Sequence, residues 1–204
     1  MAQAVLDALQ QKHPTAIREV FTVRGDEVAM VNADDIATVC SFLKYDPAMD
    51  MKLLLSVTAV DYLGWEEAGS AGRRAEAEGR SITAVPRFEV VYHLTSMTHH
   101  HRVRLRAKVT EKPGEIPTVS GIWRTANWWE RHVWDLYGLR FKGHPDMRRL
   151  YMPEDWDGHP LRKDYPLRGR HPIVPERDIP DLIRGPGPQP RDFDKTFPGR
   201  APRR

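Results

Sequence analysis

The chain has 204 residues, 40% hydrophobic and 29% charged, with a formal net charge of +3 and a sequence pI near 9.1. That is enough chain to bury a core of its own. No apolar run approaches the ~18 residues of a membrane span; the longest is Leu53 to Val60. Acidic and basic residues are interleaved, so neither a one-signed stripe nor a recognised module points to nucleic acid. The first residues lack the basic start and small-residue cleavage site of a secretory signal, and none is expected. Cys40 is the single cysteine, which rules out an internal disulfide and a four-thiolate iron–sulfur cluster held by this chain alone.

Residues 2–12 carry Val5, Leu6 and Leu9 on one helical face and stop before His13-Pro14. Ile17 to Val23 and Val28 to Val31 are β-rich runs joined by Arg24-Gly25-Asp26-Glu27, a hairpin signal. Asn32 is placed to cap a helix over Ala33 to Leu43, with Asp34 and Asp35 favourable to its dipole. Ile36, Val39, Cys40 and Leu43 form its apolar face, which predicts a buried, inert thiol. Leu53 to Val60 reads as a central strand.

Residues 63–86 turn to Gly, Ala and charge, the composition of a surface insertion. Arg87 to Thr95 and Arg102 to Val109 read as strands. The second alternates Val103, Leu105, Ala107 and Val109 with Arg102, Arg104, Arg106 and Lys108. Its basic row is a solvated sheet face or a strip for an acidic partner. His99, His100 and His101 sit between these strands. Neighbours on a strand point to opposite faces, so a turn is expected there and not a metal site. The whole is an α+β domain over residues 1–137, with a mainly antiparallel sheet and helices on one face.

The densest stretch is 127–170, NWWERHVWDLYGLRFKGHPDMRRLYMPEDWDGHPLRKDYPLRGR. Asn127 as cap, Glu130 as its capping-box partner and Gly138 as C-terminal stop frame a helix. Trp129, Val133, Leu136 and Tyr137 give that helix an apolar face. This predicts that it docks by its aromatics and presents its charges. Beyond Gly138 come two Gly-His-Pro triplets, at 143–145 and 158–160, each followed by a basic pair and a tyrosine. Four prolines in 145–166 exclude a long helix. Residues 138–167 therefore read as an irregular docking segment. Residues 168–204 hold 8 of the 17 prolines and few apolar residues, the composition of an extended tail.

The motif ERHVWDLYG followed by GHPDMRRLYM and DGHPLRKDYPL resembles the signature of the C subunit of proton-pumping NADH:quinone oxidoreductase, respiratory complex I. The matching positions are Glu130, Arg131, Asp135, Leu136, Tyr137, His144, Arg148 and the run Gly158 to Leu167. The family pattern has a second Glu where this chain has His132. The resemblance implies an accessory subunit of the hydrophilic arm that supports electron transfer from NADH to quinone, coupled to proton translocation. It implies no catalytic, metal or cofactor-binding residue in this chain, with iron–sulfur clusters, FMN and quinone in partner subunits. The implied partners are the D subunit and the iron–sulfur subunits near the quinone site. The implied location is peripheral, on the cytoplasmic face of a bacterial inner membrane, or the matrix or stromal face in an organelle. Partner-interface candidates are Glu130, Arg131, Asp135, His144, Pro145, Arg148, Arg149, Gly158, His159, Pro160, Leu161, Arg162, Lys163, Asp164, Tyr165 and Pro166.

Two alternatives stand beside this reading. The His and Asp residues of 144–164 supply the types needed for a stand-alone metal-dependent enzyme, although no His-Glu-x-x-His or oxygen-cage spacing is present. A Gly-His-Pro histidine serves a turn equally well, by hydrogen bonding to backbone. The equivalent subunit of a membrane-bound hydrogenase or chloroplast-type complex would also carry this signature.

Overall fold

The computed structural model describes residues 3–64 and 87–166. The expected insertion, apart from its first two residues, and the tail therefore lie outside the described residues. In chain order the elements are α1 (Gln3–Lys12), β1 (Ile17–Val23), β2 (Asp26–Val31), a 3-10 turn (Ala33–Asp35) and α2 (Ile36–Tyr45). There follow β3 (Leu53–Asp61), β4 (Phe88–Thr95), β5 (Arg102–Val109), β6 (Glu115–Pro117), α3 (Ala126–Tyr137) and β7 (Arg140–Lys142).

The main sheet has five strands in the order β1-β2-β5-β4-β3. The β1–β2, β5–β4 and β4–β3 pairs are antiparallel, as the alternation and the hairpin signal predict. β2 and β5, however, run parallel, with Ala29 opposite Leu105 and Val31 opposite Ala107. A parallel neighbour needs a crossover, and here α2, β3 and β4 together supply it. β6 and β7 form a small parallel pair that ties the chain before α3 to the chain after it.

One face of the sheet is covered by helices. Phe88, Val90, Tyr92 and Leu94 of β4, and Val103, Leu105, Ala107 and Val109 of β5, join one buried cluster. The same cluster holds Val5, Leu6 and Leu9 of α1, Ile36, Val39, Cys40 and Leu43 of α2, and Ala126 and Val133 of α3. The period of two in the strands meets the 3.6 period of the helices. Cys40 is buried there, and burial pushes its thiol far above the ordinary range.

The opposite face holds the basic row of β5. It is in good part self-paired. Arg106 binds the buried Glu89 and donates to the Tyr62 hydroxyl at 2.9 Å, and Arg104 pairs with Asp26 at 2.9 Å. The three histidines make a turn, as expected: Ser96 N–H closes on the His101 carbonyl, and His99 and His101 reach the carbonyls of Pro47 and Met49.

One expectation fails at α2. Asn32 makes no side-chain cap bond, and its successors 33–35 form a 3-10 turn before the α-helix starts at Ile36. The Asn32 amide instead donates to the Thr15 carbonyl at 2.8 Å, and its oxygen accepts from Arg18. A side chain that could cap locally has been taken by a nonlocal partner.

Tyr92 is fully buried, and its hydroxyl has no hydrogen-bond partner among the described residues. A buried unmade hydroxyl costs about 1–3 kcal/mol. Tyr92→Phe is therefore expected to raise the denaturation midpoint of the full chain, measured by urea unfolding at pH 7. A drop by more than experimental error would mean that the hydroxyl is satisfied.

Candidate functional site

The signature stretch folds around α3, which docks through Val133 with Trp129 and Tyr137 packed beside it, as expected, but does not present its charges. Glu130, Arg131 and Asp135 are buried, whereas Trp128 is 60% exposed. Nor does Asn127 cap the helix: α3 begins at Ala126, and the residue before it, Thr125, makes no side-chain cap bond. Glu130 is no capping-box partner. Its Oε1 accepts the Val119 amide at 2.7 Å and its Oε2 the Thr118 hydroxyl at 2.5 Å. The helix-start pattern was present, but a stronger nonlocal demand claimed its carboxylate.

Burial drives the Glu130 carboxyl up to about 7, against the lowering effect of Thr118 and Val119. His144 Nε2 lies 3.9 Å from Glu130 Oε2, yet it is no charged partner. That nitrogen donates to the Asn127 carbonyl at 3.2 Å, while Nδ1 accepts the Asp146 amide at 3.1 Å. The two bonds fix a neutral tautomer, and burial lowers the imidazole pKa further. The histidine of the first Gly-His-Pro triplet is thus a turn-fixing group, as its sequence context predicts.

Asp135 is the centre of the site. Its Oδ2 accepts three successive amides, Leu150 at 3.0 Å, Tyr151 at 2.7 Å and Met152 at 3.0 Å. Its Oδ1 accepts from Arg149 at 2.8 Å. Burial alone would raise this carboxyl, but the amides of Met152, Tyr151 and Leu150 with the Arg149 guanidinium outweigh it and hold the pKa below the ordinary range. Arg149 then donates to the carbonyls of Trp156, at 2.7 Å, and Gly158. One turn before Asp135, Arg131 donates to the carbonyls of Arg148 and Arg149, both at 3.1 Å. Two side chains at i and i+4 on one helix therefore hold segment 148–152 by its backbone, and Arg149 extends the hold to 156–158.

The second triplet closes on the C-terminus of the same helix. Leu161 N–H donates to the Leu136 carbonyl, Arg162 Nε to the Tyr137 carbonyl at 2.6 Å, and His159 Nδ1 to the Asp135 carbonyl at 2.9 Å. These are the orphan carbonyls of a helix end. Gly138 ends the helix as expected, in the left-handed conformation at φ 75°. It must also stay bare, because a Cβ there would sit 2.6 Å from His159 Nε2 and against the Arg162 guanidinium.

A third anchor lies on the sheet and carries no signal in the sequence. Asp61, at the end of β3, accepts the Lys163 amide at 2.9 Å and the Leu63 amide at 3.0 Å, and pairs with Arg87 at 3.0 Å. Arg87 also reaches Asp164, at 2.8 Å, and Glu111. Asp61 and Lys163 are 102 residues apart, so no local pattern links them.

The candidate residues consequently divide. Glu130, Arg131, Asp135, His144, Arg149, His159 and Arg162 are engaged within the chain. Pro145, Arg148, Leu161, Lys163 and Pro166 present exposed side chains, and Gly158, Pro160 and Tyr165 are half-buried. Asp164 is exposed but paired with Arg87. Among the described residues no group of three or more His, Cys, Asp or Glu could hold a metal ion. The stand-alone metal enzyme therefore has no ligand set here. No helix among them is long and apolar enough to cross a membrane.

Residues 29–171 match the model of the respiratory-chain NADH dehydrogenase 30 Kd subunit. The chain belongs to that family. It is 45% identical over 161 residues to the NADH-quinone oxidoreductase C subunit of Geotalea uraniireducens, covering 79% of this chain and 85% of that relative. Identity to the C 2 subunit of the Rhizobium etli enzyme is 40% over 161 residues, or 79% and 75% of the two chains. Among solved structures, a trypsin-resistant fragment of Nqo5 superposes with a TM-score of 0.55 at 26% identity, over 71% of this chain and 97% of the fragment. A chain of the archaeal membrane-bound sulfane sulfur reductase shares the fold, with a TM-score of 0.60 at 23% identity, over 81% and 85% of the two chains.

Removing the Asp135 charge should be costly. Asp135→Asn leaves the Arg149 side chain, 14% exposed, without its counter-ion and turns one acceptor oxygen into a donor facing the chain. A loss of about 3–5 kcal/mol is expected by urea unfolding. A change below 1 kcal/mol would show that the 148–158 segment is held by other means.

Glu130 gives a pH signature. Its folded pKa, about 7, lies above the ordinary 4.5. Its contribution is then fully present below about 4.5 and is lost as pH rises through about 7. The stability of wild type relative to Glu130→Gln should fall between those limits by on the order of 3 kcal/mol. Denaturation of both proteins across pH 5–8 checks this, and a pH-independent difference would refute it.

Proposed function

We propose that the chain serves as a cofactor-free, non-catalytic docking subunit of the peripheral arm of NADH:quinone oxidoreductase. Its task is to present a rigid surface to neighbouring subunits. Family membership carries the assignment to the complex, and the spent chemistry of the site supports the structural role. Both Gly-His-Pro imidazoles, both buried carboxylates of α3 and the Arg149 and Arg162 guanidinium groups are committed to backbone or to one another. An internally satisfied network of this kind holds a surface in register.

The partners we propose are the D subunit and the iron–sulfur subunits near the quinone site, with iron–sulfur clusters, FMN and quinone carried by those partners. Contact would come from what this clasp of segment 138–166 on α3 leaves outward, chiefly Pro145, Arg148, Leu161, Lys163 and Pro166, and from the exposed Trp128 of α3. Trp128 stands under the Arg131 guanidinium at 5.0 Å, a pre-ordered aromatic of the type that anchors interfaces. Membrane association would be peripheral and indirect, on the cytoplasmic face of the inner membrane in a bacterium.

The test separates folding from assembly. Trp128→Ala with Lys163→Ala changes only exposed side chains, so the free chain should unfold within about 1 kcal/mol of wild type. Recovery of quinone-reducing complex through the tagged variant should fall about tenfold or more. Normal recovery and activity would remove these residues from the interface.

A further inference from the structure

The two buried carboxylates of α3 are bound in different ways. Both oxygens of Asp135 accept from N–H groups, three amides on one and the Arg149 guanidinium on the other. A proton added to Asp135 would face donors only. Glu130 divides its partners: Oε1 accepts the Val119 amide, whereas Oε2 meets the Thr118 hydroxyl. Thr118 Oγ also lies 2.8 Å from Ser120 Oγ and accepts the Ser120 amide at 3.1 Å. Glu130 itself is fully buried. Thr118 and Ser120, however, line a cleft of about 610 Å³ between α2, segment 118–124, the start of α3 and the 143–145 turn.

A hydroxyl has one hydrogen to donate and two lone pairs to accept with. At Thr118 the Ser120 amide occupies one lone pair. The hydrogen and the other lone pair are left for Glu130 and Ser120, which allows two arrangements. With Glu130 ionised, Ser120 donates to Thr118 and Thr118 donates to Oε2. With Glu130 protonated on Oε2, Glu130 donates to Thr118 and Thr118 donates to Ser120. The Val119 amide stays on Oε1 in both, and no contact is lost in passing between them. We infer that Glu130 is a proton-binding site that exchanges with the cleft through Thr118 and Ser120, and that its proton sets the hydrogen-bonding sense of the Ser120 hydroxyl. The transfer balances. Water in the cleft gives a proton to Ser120 Oγ, Ser120 passes its own to Thr118, and Thr118 passes its own to Oε2, which turns the carboxylate into a carboxylic acid. Ser120 then offers the cleft a donor, where before it offered lone pairs only.

The other titratable groups around Glu130 give no such path. Cys40 of α2 and Tyr92 of β4 lie near enough to feel its charge. Both are buried, and burial holds both protonated, so they lead inward only. His144 Nε2, 3.9 Å away, is beyond hydrogen-bond reach and is held on the Asn127 carbonyl. Among the charged groups of the same elements, Lys44 bonds the Ile122 carbonyl, Asp146 pairs with Arg148, and Arg124 is exposed at the cleft. Burial places the Glu130 carboxyl at about 7, so both arrangements are populated near neutral pH. Trp128 and Pro145 wall the same cleft, which puts the switch on the face proposed above for docking. The exchange belongs to the free chain and does not depend on that role.

Carboxyl nuclear magnetic resonance of the full chain, labelled at glutamate and assigned through Glu130→Gln, tests this. Near neutral pH, relaxation dispersion should show the two forms of Glu130 interconverting. Ser120→Ala leaves the contacts of Glu130 itself in place and should slow the interconversion at least ~10-fold with both forms still populated. Ser120→Thr keeps a hydroxyl and should keep the wild-type rate. Equal rates in wild type and Ser120→Ala would mean another path and overturn the relay. The wild type alone supplies a second check, should either variant fail to fold. Its rate in mixtures of light and heavy water should bow with deuterium content, because several protons move together; a straight line would mean a single transfer and no relay. A Glu130 carboxyl that keeps one form across the neutral range overturns the proton site itself.

Discussion

The structure depends on one buried carboxylate. Asp135 receives three consecutive backbone amides and a guanidinium, and through them an irregular segment acquires a fixed path. A loop without helix or strand has no ladder to satisfy its peptide groups. Here the ladder is replaced by two side chains of a helix and one arginine of the segment itself. Asp135 takes the amides, while Arg131 and Arg149 take the carbonyls. Because the acceptor is charged and buried, each bond is stronger than a neutral one, and leaving any of them unmade is costly. That asymmetry makes the segment a single unit.

The same logic explains why α3 is turned with its charges inward. Its hydrophobic pattern would place Trp129, Val133, Leu136 and Tyr137 against the sheet, and Val133 is indeed buried in the core cluster, with Trp129 and Tyr137 packed at its margin. Yet the rest of the helix is not left to solvent. Segment 114–119 covers it on the Glu130 side, and segment 148–162 on the Arg131 and Asp135 side. The helix is enclosed on three sides, and each charge meets backbone groups that need it. A Trp is what remains outside.

The docking role we propose draws on this allocation. The carboxylates and imidazoles of the signature stretch are engaged in holding backbone. The exposed residues of the clasp are those that recognition uses: prolines, an arginine, a lysine, a leucine and an aromatic. The clasp also reaches the sheet through Asp61 and Arg87, which sets the last turn of the segment beside the β3 edge. The family signature is therefore mainly a folding signature. Its conspicuous residues build the platform, and the less conspicuous ones face outward.

Much of this was legible beforehand. Periods of two and 3.6 located α1, β1 to β5 and α3, because the residues of one element share one local geometry. Gly138 marked the end of α3 for the same reason, since only a residue free of a Cβ turns left-handed without strain. The long 127–167 signature named the family. Tertiary structure alone decided the parallel partnership of β2 with β5, the loss of both expected asparagine caps and the inward turn of Glu130 and Asp135. It also decided the bond between Asp61 and Lys163. These depend on partners 11 to 102 residues away, and a side chain that can satisfy a local turn or a distant buried amide goes to whichever would cost more left unpaired. Sequence supplies the candidates for each bond; burial chooses among them.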